Sequence, residues 1–386
     1  MRPAILLVLL TVTLNSISFA QRSEDSPKLL LTTQRLKRLK RDRDRQTPRW
    51  LNFEERVKNA PDSPERGFEL ALYYAITKDK ARGREAVEWT KAHPCQQRQA
   101  ALIRDWVDSS PGEGVGSPQR CPDETRGPIT ALRDSLFAYG ADSHTDGKKL
   151  IQTLLTTDLA NAGEVYAAAE YLAVAKATEH IDLRQEAPQF FNSLPIQFLL
   201  NLKPDQVEHP NWMTHIAALA LVSLDPNNDS SQFLQGWAIE DRQMVREGPG
   251  VAYELLWADP YLPGVGYQNL DPWWFNDANG KLLARTNWEP DACWIQITAK
   301  SVQQQNCPAN WQMQTASFGH LQLTPMTQVC VEIQRTAPNI TTLLWKLKPN
   351  QKLKYTEEKK SLTTAADSSG FWRVPANVDG KVCAVR

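Results

Sequence analysis

The chain changes its hydrophobic period once, close to residue 262, and this change restricts the folds open to it. Before that point apolar residues recur at helical spacing, as Phe68 and Leu72 do. After it the period becomes two, because Ile295 and Ile297 alternate with polar neighbours. Helices followed by strands predict layers that segregate into an α+β multidomain chain. We expect a helical domain over residues 21–262 and a β-sandwich over residues 263–386.

The first twenty residues have the pattern of a cleavable secretory signal peptide. Arg2 supplies a positive charge, and the apolar run 4–12 supplies the hydrophobic segment. This run is shorter than the roughly 20 apolar residues that cross a bilayer, which disfavours the alternative of an uncleaved anchor. Small residues at Ser18 and Ala20 predict cleavage after Ala20. We therefore expect segment 1–20 to be removed from a secreted or periplasmic protein, with no membrane insertion after cleavage.

The six cysteines agree with export. Their spacings are long and contain no CxxC pair, which argues against zinc and redox motifs. In an oxidising compartment disulfides are the usual outcome, although buried free thiols are the alternative. Clustering of the cysteines predicts pairing within each domain, which in the first half means Cys95–Cys121. The sequence does not fix the connectivity of the last four cysteines, for which Cys293–Cys307 and Cys330–Cys383 are reasonable pairs.

Composition and motifs exclude several classes of function. Lys plus Arg equals Asp plus Glu at 44 each, so the whole chain carries no electrostatic signal for nucleic acid. The sequence contains no phosphate-binding glycine loop, no GxSxG elbow and no metal-ligand spacing, so no cofactor and no metal are predicted. The basic run 35–45 is read as the solvated face and C-terminal end of the first helix, with polyanion binding as the alternative.

Three segments, taken in order, resemble the heparinase II/III-like and alginate-lyase-like polysaccharide lyases. They are KLLLTTQRLKRLKRDRDRQTPRW, GFELALYYAITKDKARGREAVEW and GKLLARTNWEPDACWIQI. The resemblance implies an incomplete α/α toroid of helical hairpins followed by a shortened β-sandwich. It also implies β-elimination on a uronate-containing polysaccharide. In that chemistry the uronate carboxylate is neutralised, a base removes the C5 proton, and an acid protonates the leaving oxygen.

The resemblance also implies a set of catalytic residues. Asn211 and His215 lie where the family keeps an Asn and a His, and Tyr253 lies about where its Tyr is expected. The family's β-domain histidine motif is not retained in the stretch 310–318, and His320 is the nearest histidine that could substitute. His215 borders an apolar face, so a core histidine is the alternative reading, as a core aromatic is for Tyr253.

Aromatic and basic residues around the domain boundary predict where a glycan would bind. Tryptophan faces stack on sugar rings, although they can equally seal an interface. Arginines can hold a carboxylate, although a structural salt bridge is the alternative. We expect a ligand between the two domains. The predicted substrate-binding residues are Arg246, Trp257, Trp274, Arg285 and Trp288.

Two functions therefore follow from the sequence. The first is an exported, uronate-directed polysaccharide lyase. The second is a non-catalytic glycan-binding or structural module derived from a lyase. Both predict an acidic polysaccharide or other glycan as the partner, and both leave the oligomeric state open.

Overall fold

The computed structural model places helices in the first two thirds of the chain and strands in the last third, which confirms the predicted order. It describes residues 29–107, 127–139, 143–157, 159–276, 281–297, 302–307, 321–326, 329–334, 341–345, 347–367, 370, 372–375 and 377–385. The predicted signal peptide, Cys121 and His320 lie outside these residues. Within the described part of the chain, no helix is long and apolar enough to cross a membrane.

The α-helices of the described residues follow one another with short connections. They are α1 (Thr33–Asp44), α2 (Pro48–Asn59), α3 (Arg66–Thr77), α4 (Lys80–Ala92), α5 (Gln97–Trp106), α6 (Pro128–Tyr139), α7 (Ser143–Thr156), α8 (Ala162–Glu179), α9 (Pro188–Asn201), α10 (Pro204–Glu208), α11 (Trp212–Leu224), α12 (Asp229–Ala238) and α13 (Gly250–Trp257). Local sequence explains where several of them begin. Thr32 caps α1 by accepting a hydrogen bond from the Arg35 backbone N–H, and Asp79 caps α4 in the same way.

Seven helices form a closed circle of contacts, which we call the ring. α1 contacts α3, and the contacts continue through α5, α6, α8 and α11 to α13, which contacts α1 and α2. Two members of the ring are buried on most sides: every residue of α13 is buried, as are most residues of α3. A helix that is buried all round is enclosed by other elements. Among the helices outside the ring, α4 packs against α3, and α9 and α12 pack against α11.

The basic run 35–45 is not only a solvated face, because some of its arginines donate hydrogen bonds to other helices of the ring. Arg38 is buried and donates hydrogen bonds to the carbonyls of Leu255 and Leu256, at 3.1 and 2.6 Å. Arg43 donates to the carbonyl of Ile76, at 2.8 Å. These carbonyls lie in the last turns of α13 and α3, where the helix dipole is negative and a cation stabilises it. The prediction of a solvated face is therefore correct only for part of this run.

The described strands of the C-terminal third form three sheets. The strands are β1 (Trp273–Asn276), β2 (Lys281–Arg285), β3 (Trp294–Ile297), β4 (Val302–Gln305), β5 (Leu321–Pro325), β6 (Cys330–Ile333), β7 (Thr341–Trp345), β8 (Lys352–Glu357), β9 (Lys360–Ala365), β10 (Trp372–Val374) and β11 (Gly380–Ala384). The sheet orders are β1-β2-β3-β4, β10-β7-β5 and β6-β11-β8-β9. Among the described strands, all pairs are antiparallel except β5 with β7, which is parallel.

Successive side chains of β7 pack against different sheets. Leu343 and Trp345 pack in one apolar cluster with the sheet β1–β4, whereas Leu344 packs in another with β8 and β11. Successive side chains of a strand point to opposite faces, so the three-stranded sheet lies between the two four-stranded ones. Two predicted disulfides are confirmed here, Cys293–Cys307 and Cys330–Cys383. The predicted Cys95–Cys121 pair involves a residue outside the described part.

The sheets attach to the helices through α9. This helix contacts β1 and β2, and the Trp294 indole of β3 donates to the carbonyl of Leu200 at 2.9 Å. Leu200 lies in the last turn of α9, where a carbonyl needs a partner from outside the helix. The junction between the two parts is thus built on the C-terminal end of one helix.

Candidate functional site

A cleft of about 310 Å³ opens where the first turns of the ring helices meet. Each of α3, α5, α6, α8, α11 and α13 contributes residues from its N-terminal half or from its N-cap. The residues that line it are Glu65, Cys95, Gln96, Gln97, Arg98, Gln99, Thr130, Arg133, Asp134, Gly163, Tyr166, Trp212, Met213 and Tyr253. We call this concavity the ring cleft.

Convergent helix N-termini bring partial positive charge to the ring cleft. Each N-terminus carries a partial positive charge and backbone N–H groups that point outward. The N-cap side chains of α3 and α5, Glu65 and Gln96, make no capping hydrogen bond to the first turn. Asn211, by contrast, caps α11 by accepting from the Thr214 N–H at 2.9 Å. The exposed side chain of Asn211 therefore acts as a helix cap. Asn211 is not among the described residues that line the cleft.

Tyr253 lines the ring cleft, and its hydroxyl lies between a cation and an anion. The hydroxyl donates to Glu65 Oε2 at 2.6 Å and accepts from Arg98 Nη1 at 3.0 Å. Its ring stacks on Phe68, with centroids 4.6 Å apart, and on Trp212 at 6.2 Å. Burial raises the pKa of Tyr253 well above its ordinary value, and the opposing effect of Arg98 does not overcome this. The hydroxyl is therefore protonated at neutral pH and acts as a hydrogen-bond donor.

Tyr253 contacts a buried ionic cluster through Arg98. Glu170 is fully buried and accepts hydrogen bonds from Arg98 Nε at 2.8 Å and from Arg133 Nη1 at 3.2 Å. Burial alone would raise the pKa of Glu170, but the two guanidinium groups lower it below its ordinary value. Glu170 is thus ionised at neutral pH. It balances part of the charge of Arg98 and Arg133, whose donors also reach Tyr253 and Asp134.

Trp257, predicted to bind sugar, lies beneath the cleft. Its indole is buried and donates to the Tyr166 hydroxyl at 3.2 Å. That hydroxyl in turn donates to Glu170. The guanidinium of Arg35 lies over the Trp257 ring at 4.3 Å. Trp257 therefore joins the cluster under the cleft, but it is not among the described lining residues.

His215 lies in a separate buried group one turn along α11 from the cleft residue Trp212. Its Nε2 atom is 2.7 Å from Glu254 Oε2, and both side chains are 1% exposed. Glu254 Oε1 accepts from Arg49 Nε at 2.7 Å. Burial alone would raise the pKa of Glu254, but His215 and Arg49 lower it below its ordinary value. None of the described residues that line the cleft is a histidine.

The remaining predicted substrate-binding residues lie elsewhere. Arg246 is exposed and pairs with Asp241 at 3.0 Å. Arg285 is fully buried at the junction between helices and sheets, where its guanidinium lies 4.2 Å from the centroid of Trp288. Burial lowers the pKa of Arg285 to about 10. Trp274 is half-buried on β1 and packs against the helical core.

The structure therefore unites the predicted Tyr253 and Trp257 in one cluster, and it places Arg285 with Trp288 in another. The residues that line the cleft and that the sequence did not single out include Glu65, Arg98, Arg133 and Trp212. One signal could have found them, since each lies within the first two turns of a ring helix or at its N-cap. Among the described residues, no group of three or more His, Cys, Asp or Glu side chains could hold a metal ion.

The chain matches no protein-family model and no curated protein, so its function has to be argued from the ring cleft itself.

Proposed function

We propose that this protein binds a segment of an acidic polysaccharide in the ring cleft. The observation that carries the proposal is the convergence of helix N-termini on one concave site that also contains Arg98 and Arg133. Helix N-termini and guanidinium groups both favour a carboxylate, the first through aligned N–H groups and the second through paired donors. Glu65 and Asp134 also line the cleft, and each forms an ion pair with one of these two arginines.

The aromatic wall of the cleft supports a sugar as the ligand. Trp212 is half-buried and stacks on Tyr253, so part of its indole faces the cleft. The apolar C–H face of a sugar ring packs well on an aromatic face, while sugar hydroxyls need polar partners at the edges. Gln96, Gln97 and Thr130 supply such groups around the same cavity.

The architecture that we propose is an incomplete α/α toroid followed by a β-sandwich. The closed circle of contacts from α1 to α13 supports the toroid, because an inner ring of helices with outer partners would produce such contacts. The stacked sheets with apolar clusters between them support the sandwich. The resemblance to polysaccharide lyases agrees with both elements, and we propose the same class of ligand.

Calorimetry with short uronate oligosaccharides tests the binding proposal. Arg133→Gln and Trp212→Ala should each weaken binding by at least about tenfold, because a charged hydrogen bond or a stacking face contributes more than about 1.4 kcal/mol. Arg246→Gln is the matched control, because it removes the same charge from an exposed surface pair and should leave affinity unchanged. Equal affinities for all four proteins, or no binding across a panel of oligosaccharides, would contradict the proposal.

One contact favours a second candidate function, β-elimination by Glu65 and Tyr253. Glu65 is 25% exposed at the cleft and can take the C5 proton of a bound uronate. The C–H electrons then form the C4–C5 double bond, the C4–O4 bond breaks, and Tyr253 donates its proton to O4. The proton on Glu65 can pass to the Tyr253 oxygen over 2.6 Å, which restores both groups. Arg98, at 3.0 Å, stabilises the transient phenolate.

The elimination product identifies this reaction, because a 4,5-unsaturated uronate absorbs in the far ultraviolet. Tyr253→Phe and Glu65→Gln should each lower turnover by at least about a hundredfold while oligosaccharide binding persists. A variant of His215, which lies outside the cleft, should keep the reaction. Binding without any gain in absorbance for the wild-type protein would leave only the first function.

A further inference from the structure

The outermost sheet presents a basic face away from the core. Along β8 exposed and buried residues alternate, so Lys352 and Lys354 point outward while Leu353 and Tyr355 enter the apolar cluster. On the neighbouring strand β11, Lys381 is exposed and Val382 is buried. We call the surface around Lys352, Lys354 and Lys381 the lysine face.

The pairing register brings the three lysines close together. Cys383 is the partner of Lys354 across the antiparallel β11–β8 pair. Lys381 therefore lies two residues further along on the same face, diagonal to Lys354. A step of two residues along a strand spans about 7 Å and neighbouring strands are about 5 Å apart, so each lysine lies within about 9 Å of the next.

Most of this charge is not neutralised within the described structure. No ion pair among the described residues involves Lys352, Lys354 or Lys381. Glu332, the register partner of Lys381, is the one carboxylate in the paired positions of this face. Its other polar members are uncharged hydroxyl groups, such as Thr363 opposite Lys354. The face is thus locally positive on a chain whose formal net charge is zero.

We propose that the lysine face is a second binding surface for an anionic polysaccharide, separate from the ring cleft. The class of ligand rests on the proposed function, whereas the position rests on the sheet geometry. A row of ammonium and hydroxyl groups along neighbouring strands fits an extended chain, whose carboxylates and hydroxyls repeat along its length. An anionic membrane is the weaker candidate. The paired positions of this face carry no exposed aromatic or leucine side chain that could enter the headgroup region.

A long polysaccharide could occupy both sites at once. The second contact would then be intramolecular, and the affinity for long chains would exceed that for short oligosaccharides without any new group in the cleft. Charge-dominated contacts also release counterions, so the lysine face should make binding to long chains depend strongly on salt. Short oligosaccharides that fill only the ring cleft should lack most of this dependence.

The test uses the mature full-length chain on columns of immobilised alginate, which carries carboxylates only, and immobilised heparin, which also carries sulfates. The variant replaces Lys352, Lys354 and Lys381 with Gln. The matched control replaces Lys58, Lys91 and Lys176 with Gln, because these helical lysines are also exposed but pair with carboxylates. Both triple variants change the net charge equally, and melting temperatures within about 2 °C of wild type verify that both fold.

We expect the lysine-face variant to elute at lower salt than wild type and control on both columns. The slope of log affinity against log salt should fall by about 2–3, because each lost charge contact releases roughly one counterion fewer. Elution of the lysine-face variant together with the control would overturn the proposal, and so would wild-type binding to vesicles of anionic lipid but to neither column. Oligosaccharide calorimetry separates the two sites: Arg133→Gln should weaken short ligands, and the lysine-face variant should bind them with wild-type affinity.

Discussion

The buried pair of His215 and Glu254 gives the sharpest quantitative prediction. Replacing His215 with Leu removes the partner of a carboxylate that is 1% exposed. Leaving a buried charge without its partner costs about 3–5 kcal/mol. Arg49 still donates to Glu254 at 2.7 Å, so the lower end applies, and the free energy of unfolding should fall by about 3 kcal/mol. In a domain of this size that loss lowers the melting temperature by roughly 6–12 °C.

A double variant distinguishes the cost of an unpaired buried charge from the contribution of the pair itself. Replacing both His215 and Glu254 with Leu removes the buried charge together with its partner, and Arg49, which is 16% exposed, can turn towards solvent. Well-packed apolar replacements of buried pairs are often neutral, so the double variant should be within about 1 kcal/mol of wild type. Arg246→Gln, which breaks an exposed pair, should change stability by less than about 0.5 kcal/mol.

Urea unfolding at neutral pH, followed by near-ultraviolet circular dichroism, measures these differences. A loss below about 1 kcal/mol for His215→Leu would refute the reasoning, because it would mean that Glu254 finds water when its partner is removed. The same proteins test the alternative role of His215. A catalytic histidine would abolish elimination in the stable double variant, whereas a core histidine would leave it within about tenfold of wild type.

Three further predictions concern buried charge and crosslinks. Glu170→Gln should lower the unfolding free energy by at least about 3 kcal/mol in urea titrations, because two guanidinium groups lose a buried carboxylate. Burial would raise the pKa of Glu170, but Arg98 and Arg133 lower it. The stability from this group is thus complete above about pH 5 and lost as pH falls through the folded-state pKa, which melting temperatures at several pH values check. Reduction should cost about 3 kcal/mol for the Cys293–Cys307 loop and about 4 kcal/mol for Cys330–Cys383, as seen by unfolding with and without reductant.

The order of helices and strands could be predicted because hydrophobic period is a local property. Burial follows the side-chain spacing within each element, so the change near residue 262 is visible without any tertiary contact. Clustering also predicted that the last four cysteines pair among themselves, whereas the choice of Cys293–Cys307 and Cys330–Cys383 among the possible pairings comes from the structure. Arg38 shows where local reading fails: it belongs to a basic run, yet it is buried against the end of α13, which lies 217 residues away.

The ring cleft could not be predicted from spacing, because its parts are distant in sequence. Glu65 and Tyr253 are 188 residues apart and meet at 2.6 Å only because the ring closes. The sequence reasoning grouped Tyr253 with Arg285 and Trp288 because all three lie near the change of period. In the structure Tyr253 faces the first turns of the ring helices, whereas Arg285 and Trp288 contact each other at the junction with the sheets. Proximity along the chain was therefore a poor guide to a site made by helix ends.

The buried ionic cluster beneath the ring cleft is evidence on whether the cleft has a function. A core that needed only stability would gain little from Glu170, Arg98 and Arg133, because buried ion clusters are often no more stabilising than apolar side chains of the same volume. What such a cluster does provide is orientation, since each donor of Arg98 has a fixed acceptor, including the hydroxyl of Tyr253. Sites that act on a ligand need side chains held in advance by their supporting contacts. A cavity left by imperfect packing would not need such a cluster. The buried ionic cluster thus favours a ring cleft in which Tyr253 and Glu65 are held in one geometry.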